Sequence, residues 1–354
     1  MFHKIDYHCY FSNCEVYEGD TVELTEEICN AKWLPIPWFK SEFTTSKYLE
    51  FAQTLSIITD KKRFISSFFL LKGNKKVKRI WKVKCAKRGV FTIDKVTLIG
   101  SDLLGNFEGS LPVSLNIQIV VLPKPIPIEE ITASNKYLIG EIAVRHQLIE
   151  DPFYLCGIRE YTDLDPMNRI NWLASAKEQK LMINQNGYTT KQSIQLILNI
   201  QSQEYERDYA INEDIVEDCI RVTTDIIYQS LQYNIPICFL SNTLVNNTPV
   251  ISSIGTGHFH AMNLCRILAH LECKRDIEFD SYLSNLVIDN TVTDIILVTS
   301  YLNQAIISFA QMHRNVKIIV IGYSYYSNIP KDCDICSLYE YLKERGTNNE
   351  KQPA

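Results

Sequence analysis

Several things are missing from this chain of 354 residues, and each absence narrows the field. No apolar run approaches the roughly 20 residues that a membrane-spanning helix requires. The longest, such as VKIIVIGY at 316–323, are of strand length. Residues 1–12, MFHKIDYHCYFS, lack the apolar core of a secretory signal peptide. Basic charge is not in excess: 36 Lys and Arg stand against 41 Asp and Glu, a net charge of −5, which weighs against a dedicated nucleic-acid binder. No P-loop, G-x-S-x-G, H-E-x-x-H or dinucleotide fingerprint occurs. The 11 cysteines are odd in number, scattered and mostly set in apolar surroundings, as Cys85 is in WKVKCA and Cys238 in IPICFL. That pattern favours small buried hydrophobes in a reducing compartment over a disulfide framework. Cys333 and Cys336 form a lone C-x-x-C with no second pair and no nearby His, too little for a metal or redox motif.

What is present is ordinary globular composition, 46% hydrophobic and 22% charged, in a chain long enough for two domains. Residues 14–123 read as β structure. Polar and apolar residues alternate from Val16 to Leu24, and strand-like runs follow near 36–44, 64–71, 77–86, 90–98 and 113–122. Turn signals at Gly19-Asp20, Lys72-Gly73-Asn74, Arg88-Gly89 and Gly105-Asn106 separate them. Short strands at this spacing predict a β-sandwich over residues 1–125. Asn30, Trp33, Leu34, Pro35, Pro37 and Trp38 are expected to pack as a core and edge crossing between strands. The basic run from Lys72 to Arg88 reads as a solvated hairpin face, with anionic lipid headgroups as the alternative.

Pro123, Pro125 and Pro127 favour an extended linker. Residues 126–193 form a linker and signature segment, irregular or partly helical over 128–156. From 194 to 345 the texture changes to α/β. Apolar strands at 195–200, 235–240, 249–253, 294–299 and 316–323 alternate with helices at 212–233, 258–273 and 301–313, the first capped by Asn212. Continuous apolar strands between amphipathic helices predict a mostly parallel sheet covered on both faces. Residues 346–354 read as a disordered tail.

One stretch organises the chain: residues 157–176, GIREYTDLDPMNRINWLASA. Arg159, Glu160, Asp163, Asp165 and Arg169 fall within eleven residues, between the apolar anchors Ile158, Tyr161, Ile170 and Trp172. Buried charge is costly unless paired. The expectation is therefore a semi-buried ionic network held down by Trp172 and Tyr161, with Asn168 or Asp165 capping a short helix over 169–178. Two uses compete. Glu160, Asp163 and Asp165 could act as acid and base with an arginine steadying an anion, which would make a hydrolase. The favoured reading is an Arg–carboxylate clamp that doubles as a recognition surface, since Arg and Trp are enriched at interfaces. His258 and His260, after Gly255-x-Gly257, could bind an anion or a metal, but two residues apart at a helix start they would not share a face.

The same stretch resembles the signature of the bacterial family called domain of unknown function 58. That pattern matches Gly157-Ile158-Arg159-Glu160-Tyr161, Asp165, Arg169-Ile170-Asn171-Trp172 and Ala174-Ser175-Ala176, with Leu164 where the family has Gly. A second likeness runs from Arg88-Gly89-Val90-Phe91 to Ser101-Asp102-Leu103-Leu104-Gly105-Asn106-Phe107, with Leu103 for Pro. There Asp102 and Gly105 are expected to build a turn and Phe107 to plug the domain.

The resemblance implies an α+β two-domain chain, a β-sandwich followed by a von Willebrand factor A-like domain with a Rossmann-like, mostly parallel sheet. In that fold the first strand ends in D-x-S-x-S, whose oxygens hold Mg²⁺. Here the positions are Asn199, Gln201 and Gln203, and the later strand ends in Thr299-Ser300, so a degenerate site with no metal and no cofactor is expected. The family also implies a non-enzymatic adaptor at the cytoplasmic face of a membrane, working with a MoxR-type AAA ATPase and a membrane protein of the same gene cluster. No N-terminal membrane hairpin is present in this chain, and neither nucleic acid nor a small-molecule substrate is expected. The residues carried over as signature and interaction positions are Arg159, Glu160, Tyr161, Asp165, Arg169, Asn171, Trp172 and Ser175. A metal-dependent adhesion module is the remaining alternative.

Overall fold

Alternation with period two is the first structural fact the chain expresses. The structure, a computed structural model, describes residues 2–52, 56–101, 108–127, 150–162, 165–188, 193–245, 247–288, 292–313, 315–322 and 333–338. The turn expected at 102–107, residues 128–149 and the tail 346–354 lie outside them, while 150–156, expected to be irregular or partly helical with 128–149, belong to a strand. The chain divides into two compact units, Met1–Pro125 with Met262–Glu272, and Ile126–Ala261 with Cys273–Ala354.

The first unit holds two sheets. β1 (Ile5–Phe11), β3 (Thr21–Asn30), β8 (Lys75–Cys85) and β5 (Leu49–Phe51) form one, in the order β1-β3-β8-β5. β2 (Glu15–Tyr17), β10 (Glu108–Leu122), β9 (Gly89–Ser101), β4 (Ile36–Ser46), β7 (Lys62–Leu71) and β6 (Ile57–Ile58) form the other, in the order β2-β10-β9-β4-β7-β6. Every second residue of β7 is buried, and Ile65, Phe69 and Leu71 join Leu24, Ile28, Phe39, Val83, Ile93 and Ile119 in one core. The run from Val16 to Leu24 is not one strand. Gly19, at φ +90°, breaks it, and the Tyr17 amide donates to the Asp20 carboxylate at 3.0 Å.

The lysines of the basic run lie on a solvated face, but Arg88 is buried and donates to the Leu268 and Leu271 carbonyls at 2.6 and 2.9 Å. Lys78, Lys82 and Lys84 on β8 stand in register with Glu27, Glu23 and Glu50, and Lys76 and Lys78 both bridge to Glu27.

Inside this core sits a carboxylate. On β3 the inward register runs Val22, Leu24, Glu26, Ile28, so Glu26 takes a core position and is fully buried. Four donors meet it: Tyr7 Oη at 2.7 Å, Ser41 Oγ at 2.7 Å, Trp81 Nε1 at 2.7 Å and Ser67 Oγ at 3.1 Å. The donors come from four other strands, so the network ties both sheets together. Burial, and after it the Glu26 charge, push the Cys9 thiol up to about 12 and the Tyr7 phenol higher still, so both stay protonated near neutral pH.

The second unit holds a two-stranded hairpin, β11 (Glu150–Glu160) with β12 (Met182–Tyr188), and a six-stranded sheet. That sheet comprises β13 (Ile194–Leu198), β14 (Ile237–Val245), β15 (Thr248–Ile251), β16 (Asp294–Thr299), β17 (Val316–Val320) and β18 (Asp334–Ser337), in the order β15-β14-β13-β16-β17-β18. All neighbours are parallel except β14 and β15. β13, β16 and β17 are buried at every residue, as strands covered on both faces must be.

Among the described residues the helices are α1 (Trp172–Glu178), α2 (Glu213–Gln232), α3 (Gly257–His270), α4 (Phe279–Asn285) and α5 (Gln304–Met312). Asn212 caps α2 by accepting from the Ile215 amide, with Glu213 and Asp214 in the first turn where the helix dipole favours them. Phe279, Leu283, Ile306 and Phe309 from α4 and α5 pack with Ile197, Leu297 and Ile318 of the sheet. α4, β18 and the hairpin were not expected from the sequence, each being short or dependent on a distant partner.

Because Glu26 loses all its water, removing its donors or its charge is felt directly. Glu26→Ala is expected to cost about 3–5 kcal/mol in urea denaturation, by stranding four buried donors. Glu26→Gln, which keeps an acceptor but sets an amide N–H₂ against donors, should cost less than the alanine.

Candidate functional site

Two places collect the residues singled out in the sequence, the carboxyl end of the parallel sheet and the signature module. Numbered within its own sheet, the parallel sheet runs 3-2-1-4-5-6, so the strand order reverses between β13 and β16. Open α/β sheets bind ligands at that reversal, outside the carboxyl ends of the strands.

Here the crevice position is filled by neutral side chains that satisfy one another. Asn199 Nδ2 donates to Thr299 Oγ1 at 3.1 Å, and Asn199 Oδ1 accepts from the Gln201 amide at 2.9 Å. Asn242 Oδ1 accepts from the Ile200 amide at 3.0 Å, and Asn242 Nδ2 donates to the Ile277 carbonyl at 3.2 Å. Gln201 Oε1 accepts from the Phe279 amide at 2.6 Å, and Ser300 Oγ donates to the Gln201 carbonyl at 2.5 Å. Asn199, Gln201, Asn242, Thr299 and Ser300 are all buried. Gln203 is not among them: it is exposed, and Ser202 between the two glutamines turns inward instead.

Three carboxylates that the sequence analysis did not single out lie beside this network. Glu206 is buried and accepts from the Ser202 and Ile211 amides, each at 2.7 Å, and from Ser202 Oγ. Glu204 and Asp280 converge on one amide group, Asn303 Nδ2, at 3.1 and 3.0 Å. Asn303 Oδ1 meanwhile caps α5 through the Ile306 amide. Glu204 and Glu206 follow the end of β13, and Asp280 sits in the first turn of α4. A Mg²⁺ site needs anionic oxygens with free lone pairs on the strand-end residues. Asn199 and Gln201 offer amide oxygens already used by main-chain N–H groups, so this donor set does not fit that ion.

The signature module is built differently. Ile170 bridges to Ile183, and Asn171 N donates to the Met182 carbonyl, which lays the segment across the hairpin. Arg159 and Asp165 form a bidentate pair, Nη1 to Oδ2 at 2.7 Å and Nη2 to Oδ1 at 2.6 Å. Thr162 adds its amide at 2.9 Å and its hydroxyl at 2.7 Å to Asp165 Oδ2. The Arg159 guanidinium first, and then Thr162, hold the Asp165 carboxyl well below the usual carboxylate range. Both of its oxygens are engaged, Oδ1 by Arg159 and Oδ2 by Arg159 and Thr162, as in an Arg–carboxylate clamp. Glu160 faces outward and meets Lys180 at 3.3 Å. Asp163 lies outside the described residues.

Helix α1 has only seven residues and needs its caps. Asn171, and neither Asn168 nor Asp165, is the N-cap: its Oδ1 accepts from the Ala174 amide at 3.0 Å, and its Nδ2 donates to Asn184 Oδ1 at 2.8 Å. Asp165 is already spent on Arg159, and Asn168 falls inside a 3-10 turn over Met167–Arg169. Ser175 Oγ donates to the Asn171 carbonyl and accepts from the Met182 amide, locking the helix to β12. Gln179, at φ +55°, ends it.

The expected anchoring by Trp172 is overturned. Trp172 is 70% exposed and Leu173 is 86% exposed, with Met167 at 76% beside them, and no residue of α1 is buried. Tyr161 and Ile170 are half-buried. Hydrogen bonds, not the indole, hold the module, which leaves the indole outside.

The histidine pair divides. His260 Nε2 lies 2.8 Å from the Ile237 carbonyl, and its ring lies against Gly255, where a Cβ would come within 2.7 Å of Nδ1. Gly255 is therefore required for packing. Cys336 sits in edge strand β18, in register with Ile319. Among the described residues no three His, Cys, Asp or Glu side chains are grouped to hold a metal ion.

Two outcomes follow. Millimolar Mg²⁺ should move the melting temperature by less than about 1 °C, because a ligand stabilises only in proportion to its occupancy. The Asp165 clamp should persist from neutral pH down to about 4, the ordinary carboxylate value, and loosen only below it, because a lowered folded-state pKa stabilises above the unfolded value. Amide exchange at Thr162 should accelerate in Asp165→Asn at pH 7 and lose its difference from wild type in strong acid.

No protein-family model matches the chain, and no curated protein matches it by sequence. Solved structures match over about a third of it. A non-cellulosomal cohesin from Archaeoglobus fulgidus shares 13% identity over 33% of this chain and 91% of its own, at a TM-score of 0.24. A cohesin–dockerin complex from Clostridium thermocellum shares 12% over 34% and 100%, at 0.22. The sporulation control protein Spo0M from Bacillus subtilis shares 12% over 32% and 49%, at 0.19. Likenesses this weak assign the chain neither fold nor activity.

Proposed function

We propose that this chain is a non-enzymatic adaptor that docks a protein partner through the module of β11, β12 and α1. The observation that carries the reading is the rigid presentation of Trp172 and Leu173 to solvent. A clamp, an N-cap and a serine lock fix a helix that buries nothing of its own. Exposing a Trp and a Leu side by side is unfavourable for an isolated surface, and exposed apolar patches mark interaction sites. Trp and Arg are the residues most enriched in interface hot spots.

The sheet order 3-2-1-4-5-6 with an antiparallel third strand supports a von Willebrand factor A-like assignment for the second unit, and the two sheets of the first unit support a β-sandwich. The neutral, self-satisfied strand ends support loss of the metal that such a fold would hold. With the signature resemblance to domain of unknown function 58, the partner we propose is a MoxR-type AAA ATPase, at the cytoplasmic face of a membrane and in assembly of envelope complexes.

A purified MoxR-type ATPase from the same genome, offered with ATP, is the test. Wild type should retain it. The Trp172→Ala, Leu173→Ala variant should lose binding by more than about tenfold, the scale of a truncated hot-spot tryptophan. Its melting temperature should not change, since neither residue is buried. Equal binding by the two proteins would place the interface elsewhere, and no binding by either would remove the ATPase as partner.

A further inference from the structure

Trp33, Leu34 and Trp38, expected to pack as core and edge, are instead 80%, 55% and 60% exposed. The loop that carries the first two is held by design. Asn30, fully buried at an inward position of β3, donates from Nδ2 to the Leu34 carbonyl at 3.0 Å and the Lys72 carbonyl at 3.3 Å, and accepts from the Lys32 amide at 3.2 Å. The Asn74 amide donates to the Lys32 carbonyl at 2.6 Å. Gly73 closes the join, because a Cβ there would stand 1.9 Å from the Trp33 carbonyl oxygen. A buried amide and an obligatory glycine thus fix a loop whose side chains face water.

The exposed apolar surface continues onto the outer face of β4 and β7. Trp38 packs edge-on against Phe68 with centroids 5.4 Å apart, and Leu70 follows Phe68 on the same outward register. Phe68 and Leu70 are 51% and 60% exposed. Sheet faces left to solvent normally alternate to polar residues.

Basic residues outnumber acidic ones around this end. Lys32, Lys72 and Lys75 stand in the two joined turns, and the Lys40 ammonium lies over the Phe68 ring while it pairs with Glu42. Neither 28–41 nor 61–93 contains a single Asp or Glu, and the latter holds twelve Lys and Arg. The lysine row of β8 answers to Glu23, Glu27 and Glu50, and Lys75 stands opposite Asn30. Tryptophan and leucine at a tip, ringed by lysine, match the lipid–water boundary of an anionic leaflet. There the indole sits among headgroups and each nearby Lys contributes about 1 kcal/mol. A protein partner for such a ring would have to be acidic and apolar at once, while an anionic bilayer is both by construction.

We infer that the turns 31–35 and 72–75, with Trp38, Phe68 and Leu70, form a tip that inserts into the headgroup layer of an anionic membrane surface. The test is co-sedimentation with vesicles of phosphatidylcholine containing phosphatidylglycerol, against phosphatidylcholine alone. Wild type should bind the anionic vesicles. Trp33→Ala with Leu34→Ala should weaken binding by at least about tenfold through lost apolar burial. Lys72→Gln with Lys75→Gln should weaken it by about fivefold per lysine.

In a Trp172→Phe background, brominated acyl chains should quench the remaining tryptophan fluorescence, a readout that needs no change at the tip. Any of three outcomes overturns the inference. They are no binding to anionic vesicles, binding without quenching, which is surface charge alone, or retention of a single-stranded oligonucleotide in place of vesicles at the same salt. The docking of the ATPase on α1 uses other residues, so either reading can fail without the other.

Discussion

A polar group taken out of water must be paired inside the protein, and this chain is shaped by how it meets that demand. Glu26 is met by four donors from four strands, and so joins the two sheets of the first unit. Asn30 is met by three main-chain groups, and so fixes a loop. Asn199, Gln201 and Asn242 are met by one another and by amides at the end of the parallel sheet. In each case the pairing is complete within the unit, and none of these groups is left seeking a ligand.

This has a consequence for function. At the crevice where an α/β sheet would hold a ligand, Asn199, Gln201 and Asn242 are engaged with neighbouring side chains and main-chain groups. Among the described residues, large apolar side chains left to solvent include Trp172 and Leu173 in the second unit and Trp33, Leu34 and Trp38 in the first. Groups of that kind are satisfied by burial against a partner or a bilayer, and the polar networks beneath them provide the rigidity that lowers the cost of binding.

The signature stretch shows how chemistry can be legible while placement is not. Arg159 and Asp165 were recognisable as a clamp because a guanidinium and a carboxylate six residues apart have few better options. Trp172 was expected inside because a large apolar residue beside charges resembles an anchor. The hairpin β11–β12 supplies the missing reason. It offers main-chain groups to Asn171 and Ser175, and those bonds hold α1 without the indole. Glu26 is the converse case. It reads as one more surface acid, although the alternation of Val22, Leu24 and Ile28 already set it on the inward side.

The sequence by itself determined whatever depends on neighbours along the chain. The strands of the parallel sheet showed as apolar runs because both their faces must be covered, the Asn212 cap preceded an apolar period of 3.6, and Gly19 broke a strand. The tertiary structure alone decided what depends on partners far away in sequence. It turned Ser202 inward and Gln203 outward, paired Glu26 with donors up to 55 residues away, and left two tryptophan-bearing surfaces facing solvent. Local periodicity fixes which side of an element a residue takes. Whether that side meets protein or water is set only when the distant elements arrive.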